Sequence, residues 1–191
     1  MSKFFAYLFR MKYIKRWSLM RSVREENIME HSLQVSVIAH ALALIKNKMF
    51  NGTVNVEKTV LLAQYHEVGE VITGDLPTPI KYFNPEIKNA YKDLEKNACH
   101  KILEMLPEQL KEEYSEYILP DENSEEYKIV KSADRLSAYL KCVEEVKAGN
   151  AEFKKAKATI LSDLKKLNRK EVDYYLKEFA PADELTLDEL D

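Results

Sequence analysis

The chain has 191 residues, 32% charged and 46% hydrophobic, with a formal net charge of −3 and a pI near 5.9. That length suits a single domain spanning 1–191 with a substantial apolar core, and the mildly acidic balance excludes the strongly basic surface of a nucleic-acid binder. Four glycines and six prolines, set among many Leu, Ala, Lys and Glu, favour helix. No apolar run approaches the roughly 20 residues a bilayer span needs, and Arg10, Lys12, Lys15 and Arg16 interrupt the apolar N-terminus too early for a signal peptide. A cytoplasmic protein without a membrane partner is expected. Cys99 and Cys142 lack metal-ligand spacing and read as reduced, partly buried thiols.

In chain order, Phe4, Leu8, Met11 and Ile14 make a helical stripe over 3–14, followed by Arg16-Trp17 and a polar, basic loop at 18–27. Asn27 and Glu30 have capping-box spacing for a helix over 28–49, whose stripe is His31, Val35, Ile38, Leu42 and Ile45. A second helix, 55–72, carries Val56, Val60, Ala63, Glu67 and Glu70 on one face with His66 beside them. Gly74 to Pro85 holds three prolines and reads as a stiff connector. Helices follow at 86–106, from Pro107 and, after a loop at 119–124 ending in the capping Ser124, at 125–148. Asp134 flanks the stripe of that last helix, and Gly149-Asn150 stops it. Two more helices are expected at 151–167 and 169–179, then an acidic tail from 181 to 191. No period-two strand or internal repeat is present, so the fold class is all-α.

Carboxylates at the end of an apolar stripe are expensive to bury unless paired or bound to a cation. Histidine with carboxylate suits a borderline divalent ion such as Mn, Co, Fe, Ni or Zn. His66 and Glu70 are four apart and Glu67 and Glu70 three apart, so all three can point to one side of the helix over 55–72. Two neighbouring helices would then supply His31 and Asp134. The set His31, His66, Glu67 and Asp134 would leave positions open for water and substrate, with Glu70 one turn on to move a proton. The plainer alternatives are a satisfied core histidine at His31 and a solvated acidic face at Glu67 and Glu70. His40 and His100, without acidic partners, read as structural or surface residues. His66-Glu67 opens the H-E-x-x-H metalloprotease pattern, but Glu70 stands where its second His belongs. Arg16 offers a bidentate grip on phosphate. Trp17 offers a flat wall for a sugar or base, or else a core anchor. Asp75 reads as a sugar-hydroxyl acceptor or a turn residue.

The chain resembles the bacterial 5′-deoxynucleotidases of the HD-domain phosphohydrolase superfamily from Phe4 to Leu190. The resemblance is carried by Arg16-Trp17-Ser18-Leu19-Met20-Arg21, Glu30-His31-Ser32-Leu33-Gln34-Val35 and Leu61 to Glu70. It continues through Thr73-Gly74-Asp75-Leu76-Pro77-Thr78-Pro79 with Lys81-Tyr82-Phe83-Asn84, and Ala133-Asp134 through Tyr139-Leu140-Lys141-Cys142. It implies a metal-dependent HD-type helical bundle that hydrolyses deoxyribonucleoside 5′-monophosphates, discriminates against ribonucleotides and works as a cytoplasmic homodimer. By that resemblance His31, His66, Glu67 and Asp134 hold the ion, cobalt preferred over Mn, Mg or Zn, and Glu70 assists water. Arg16 orients phosphate, while Trp17, Asp75, Leu76, Pro77 and Thr78 shape the sugar pocket. Position 67 departs from the His-Asp pair that names the superfamily: Glu extends the carboxylate by about 1.5 Å, against the roughly 0.5 Å that catalytic constellations tolerate. Two rival functions follow, an HD hydrolase of another nucleotide and a nucleotide-binding protein that lost catalysis through Glu67.

Overall fold

A computed structural model describes residues 1–81 and 83–191; Tyr82, one of the residues carrying the resemblance, lies outside the described set. The described residues form helices and no strand, as the fold class required. A short helix α1 (Phe4–Leu8) tightens into a 3-10 turn at Phe9–Tyr13, so the element expected over 3–14 is two pieces that still bury Phe4, Leu8 and Met11. A single antiparallel bridge between Lys15 and Asn27 closes the following loop on itself.

Helix α2 (Ile28–Met49) begins where the capping box places it. The Asn27 side chain accepts from the Met29 and Glu30 N–H groups, and Glu30 reaches back to the Asn27 N–H. Its expected stripe is buried from His31 to Ile45. In one respect the sequence expectation is corrected: by length and composition α2 is apolar enough to cross a membrane. Its charges, Glu30, Lys46 and Lys48, sit near its two ends, and 56% of its apolar window is buried inside the protein.

After α2 come α3 (Val56–Tyr65), α4 (Glu70–Thr73), α5 (Thr78–Lys81) and α6 (Pro85–Leu103). Then follow α7 (Glu108–Ile118), α8 (Glu125–Lys147), α9 (Lys154–Lys166) and α10 (Lys170–Glu178), with 3-10 turns at Ala151–Phe153, Ala180–Glu184 and Leu187–Glu189. The helix expected over 55–72 is therefore broken, with His66 to Gly69 forming a turn between α3 and α4. Val68 and Glu70 donate to carbonyls only three residues back, those of Tyr65 and Glu67, which winds the chain too tightly for an α-helix. The turn also lies hard against α6: a Cβ on Gly69 would meet Cys99 Sγ at 3.1 Å and the Glu95 carbonyl oxygen at 3.2 Å. Past Gly74, at φ +72°, the stiff connector contains α5 as a single turn. On α6 Tyr91, Ala98 and Ile102 are buried while Ile87 and Leu94 are exposed.

The larger core cluster joins α2 (Val35, Ile38, Leu42), α3 (Leu62, Ala63) and α8 (Ile129, Ala133, Leu136), with α9 and α10 adding Leu164 and Val172. A second cluster packs Phe4, Met11 and Ile28 against Val68, Ile102 and Ile118. Each fully buried Leu or Ile contributes about 1.5–3 kcal/mol. Val68 belongs to the second cluster and Ala63 to the first, so the intervening turn is pinned from both sides.

Candidate metal centre and active site

Three elements meet at the turn. His31 comes from the second turn of α2, Asp134 from the middle of α8, and His66 and Glu67 from the turn itself. One ligand atom from each lies within 4.8 Å of every other. His31 Nε2 is 3.1 Å from Asp134 Oδ1. The two rings are 5.3 Å apart. The expectation that one helix face presents His66, Glu67 and Glu70 is corrected, for the break lets His66 and Glu67 turn inward while Glu70 opens α4.

His66 turns one ring nitrogen to the backbone and the other to the cluster. Its Nδ1 donates to the Ala63 carbonyl at 2.6 Å. A carbonyl only accepts, so in the neutral ring Nε2 is left as a bare lone pair. That atom is buried with no hydrogen-bond partner among the described residues, although Glu67 Oε1 lies 3.2 Å away. An orphaned buried nitrogen beside two acids is the donor set of a divalent cation site, and these residues fit one.

The acids keep partial access to solvent, with side-chain exposures of 18% for Glu67 and 22% for Asp134. Burial works against the Asp134 charge, yet Lys131 and His31 hold its carboxyl well below the usual range. Burial likewise opposes Glu67, and positive charge on the His66 ring outweighs it, so Glu67 is also lowered while that ring is charged. Glu70 goes the other way: burial, then the charge of Glu67, pushes it up to about 11, so it holds a proton at neutral pH. Burial and the neighbouring Arg16 lower His31 and keep its imidazole neutral. Two carboxyls three positions apart thus have oppositely displaced pKa values, the proton staying on Glu70.

Arg16 reaches the cluster from the loop. Its Nη1 donates to Glu26 Oε2 at 2.9 Å and to His31 Nδ1 at 2.6 Å, leaving Nε and Nη2 for an incoming anion. Burial opposes its charge, but Glu26, Asp134, Glu67 and Asp75 together raise its pKa. Trp17 adopts φ +58°, an unusual conformation for a bulky residue. Its indole N–H donates to the same Glu26 oxygen at 3.0 Å, and its ring packs 5.3 Å from Phe153. Glu26, read from sequence as part of a polar loop, thus fixes both members of the pair; its only signal was an acid next to a capping Asn.

A cavity of about 570 Å³, within the range of small-ligand sites, opens beside the cluster and is lined by His66, Glu67, Glu70, Lys81 and Lys131 among others. Lys131 Nζ is 3.2 Å from Asp134 Oδ2 and was not singled out from sequence. Trp17 and the run from Asp75 to Thr78 do not line this cavity. Asp75, Leu76 and Pro77 are half-buried and Thr78 is exposed. Asp75 is nonetheless within electrostatic reach: burial raises its carboxyl pKa, and Arg16 opposes the shift.

Helices α2, α3 and α8 around a cluster of two histidines and two acids are the frame this chain shares with solved HD-domain phosphohydrolases. An HD-domain phosphohydrolase from Listeria innocua shares the fold with a TM-score of 0.81, over 95% of this chain and 88% of that one at 23% identity. The HD phosphohydrolase DatZ of cyanophage S-2L, solved with dA and one catalytic Zn2+ ion, has a TM-score of 0.64 at 19% identity over 95% and 96% of the two chains. The chain belongs to the YfbR-like 5′-deoxynucleotidase family, whose model matches residues 3–182. A 5′-deoxynucleotidase of Vibrio parahaemolyticus is 55% identical over 190 residues, covering 99% of this chain and 98% of its own. The family is one of phosphoric monoester hydrolases.

Proposed function

We infer that the protein is a metal-dependent 5′-deoxynucleotidase that converts deoxyribonucleoside 5′-monophosphates to deoxynucleoside and phosphate. The observation that carries this reading is the convergence of His31, His66, Glu67 and Asp134 within 4.8 Å, with the His66 lone pair unsatisfied, in a chain of this family. When bound, a divalent cation supplies charge neutralisation for a phosphoryl group and makes water more acidic. Arg16 binds the phosphate through the guanidinium edge that Glu26 and His31 leave open. Glu70 carries the proton: already protonated at neutral pH, it is set to deliver it to the departing 5′-oxygen. Trp17 and Asp75, with Leu76, Pro77 and Thr78, are assigned to the deoxyribose by resemblance.

Cobalt is the ion we favour, with Mn, Mg and Zn as alternatives, and a cytoplasmic homodimer is the form we favour. Exposed Leu33, Val37 and Leu44 at helical spacing on α2 are consistent with a partner face. Nothing in the mild net acidity favours nucleic acid or membrane lipid as a partner.

Metal analysis of the purified protein, then phosphate release from dAMP, dTMP and their ribonucleotide counterparts with and without added Co, tests the reading. Metal-dependent release confined to deoxynucleotides supports it, and equal activity in EDTA would sink it. Binding of deoxynucleotide without turnover, cured by Glu67→Asp, would mean that the longer carboxylate has uncoupled the site.

A further inference from the structure

The two histidines of the cluster are held differently. His66 has its proton locked on Nδ1 by a backbone carbonyl, whereas His31 Nδ1 faces two groups that make opposite demands on it. Arg16 Nη1, at 2.6 Å, can only donate and requires a bare Nδ1. The proton of a neutral His31 then sits on Nε2, pointing at Asp134 Oδ1. In that tautomer Nε2 is no ligand. The second group is Ser137 Oγ, at 3.1 Å and fully buried on α8. Its own hydrogen is committed to Gln34 Oε1 at 2.6 Å, one turn along α2 from His31, so toward the imidazole it presents only lone pairs. It can accept from Nδ1–H and thereby leave Nε2 bare.

We propose that Ser137, oriented by Gln34, is the positioning residue that makes His31 a metal ligand, taking His31 Nδ1 over from Arg16 when the cation enters. This rests on the reading of the cluster as a cation site. It goes beyond that reading by tying ion loading to the phosphate-binding residue. Once Nδ1 carries the proton, two donors oppose each other at 2.6 Å, so the Arg16 side chain leaves His31 and its Nη1 hydrogen becomes available to the substrate phosphate. The imidazole stays neutral throughout, the proton moving from one ring nitrogen to the other. Ligand histidines need an acceptor on the second nitrogen, and removing such an acceptor weakens metal binding about 10–100-fold. His66 has its acceptor in the backbone; the side chains of Ser137 and Gln34 supply the one for His31.

The test is Zn2+ affinity of the metal-free protein by competition with a chromophoric chelator, together with 15N NMR of the histidine tautomers. Expected are a His31 Nε2–H tautomer without Zn2+ and Nδ1–H with it. Affinity should fall about tenfold or more in Ser137→Ala. Gln34 is exposed, so Gln34→Met removes the acceptor with little risk to folding; it should weaken Zn2+ binding as well, while Gln34→Glu keeps the acceptor and the affinity. Unchanged affinity in Gln34→Met, or an Nδ1–H tautomer already present without metal, would overturn the proposal and leave the metal site standing. A wild-type protein that binds no Zn2+, Co2+ or Mn2+ would remove the site itself and this proposal with it.

Discussion

Two buried polar clusters lie on α8, and they are built to opposite specifications. In the first, Glu145 is 1% exposed and accepts from the Val23 and Arg24 N–H groups, Lys141 Nζ and Asn150 Nδ2 at 2.6–3.2 Å. Lys141 also donates to the Arg24 carbonyl and Asn150 to that of Arg21. One anion meets one cation, and the loop that follows Arg16-Trp17 is clamped to the helix. In the second, Glu67, Glu70 and Asp134 crowd together, one carboxyl is forced to keep its proton, and His66 Nε2 has no hydrogen-bond partner among the described residues. A closed network rigidifies; a network left open at one point waits for a ligand. The contrast identifies the functional cluster without reference to any motif, because buried groups are ordinarily satisfied.

The comparison is broken most sharply by removing the carboxyl at each of the two acids. Glu70→Gln removes the proton carrier and should lower kcat of the metal-loaded enzyme by about 10²–10⁴-fold, with the melting temperature held or raised; a rate within a few-fold of wild type would take Glu70 out of the chemistry. Glu145→Ala strands the buried Lys141 and should destabilise the fold by about 3–5 kcal/mol. Urea unfolding measures that loss, and Zn2+ affinity per folded molecule should be retained. If instead Glu145→Ala is neutral for stability and abolishes metal binding, the division of labour between the clusters is wrong.

Which parts were legible follows from the same physics. Helix α2 could be read residue by residue, since its cap and stripe are local signals, and His31 stood out as a polar residue inside that stripe. That His31, His66, Glu67 and Asp134 converge was legible because acids buried beside histidines are costly until a cation compensates their charge. The break at His66–Gly69 was not, because it comes from close contact of Gly69 with α6, a partner the local sequence does not name. Lys141 and Glu145 read as an ordinary surface pair four apart, and only tertiary burial makes them a clamp. Glu26, Lys131 and Ser137 acquire meaning from what they touch across the fold, which spacing cannot express.

A smaller effect sharpens the contrast in the metal-free protein. Glu70 sits 5% exposed beside Glu67 and keeps a proton that the unfolded chain would release at neutral pH. Glu70→Gln relieves that penalty and should raise stability by about 1–2 kcal/mol, whereas Glu145→Gln should lower it. Like signs in the two urea titrations would erase the distinction.

The finest prediction concerns acid. The Glu145 carboxyl lies down at about 2: burial alone would raise it, but Lys141, the Val23 N–H, Asn150 and the Arg24 N–H together win. A folded-state pKa depressed below the unfolded value of 4.5 means that the unfolded chain takes up the proton first. The clamp's contribution is therefore complete above about pH 4.5 and drains away as pH falls toward 2. The stability gap between wild type and Glu145→Gln should accordingly be flat from about pH 7 to 5 and close progressively below that. A gap that widened in acid would mean the carboxyl is protonated in the folded protein, and Lys141 would then need another partner. Because Val23 and Arg24 hang from this carboxylate, acid should loosen the loop before it unfolds the helices, and indole fluorescence from the single Trp17 on that loop should change ahead of helix loss by circular dichroism.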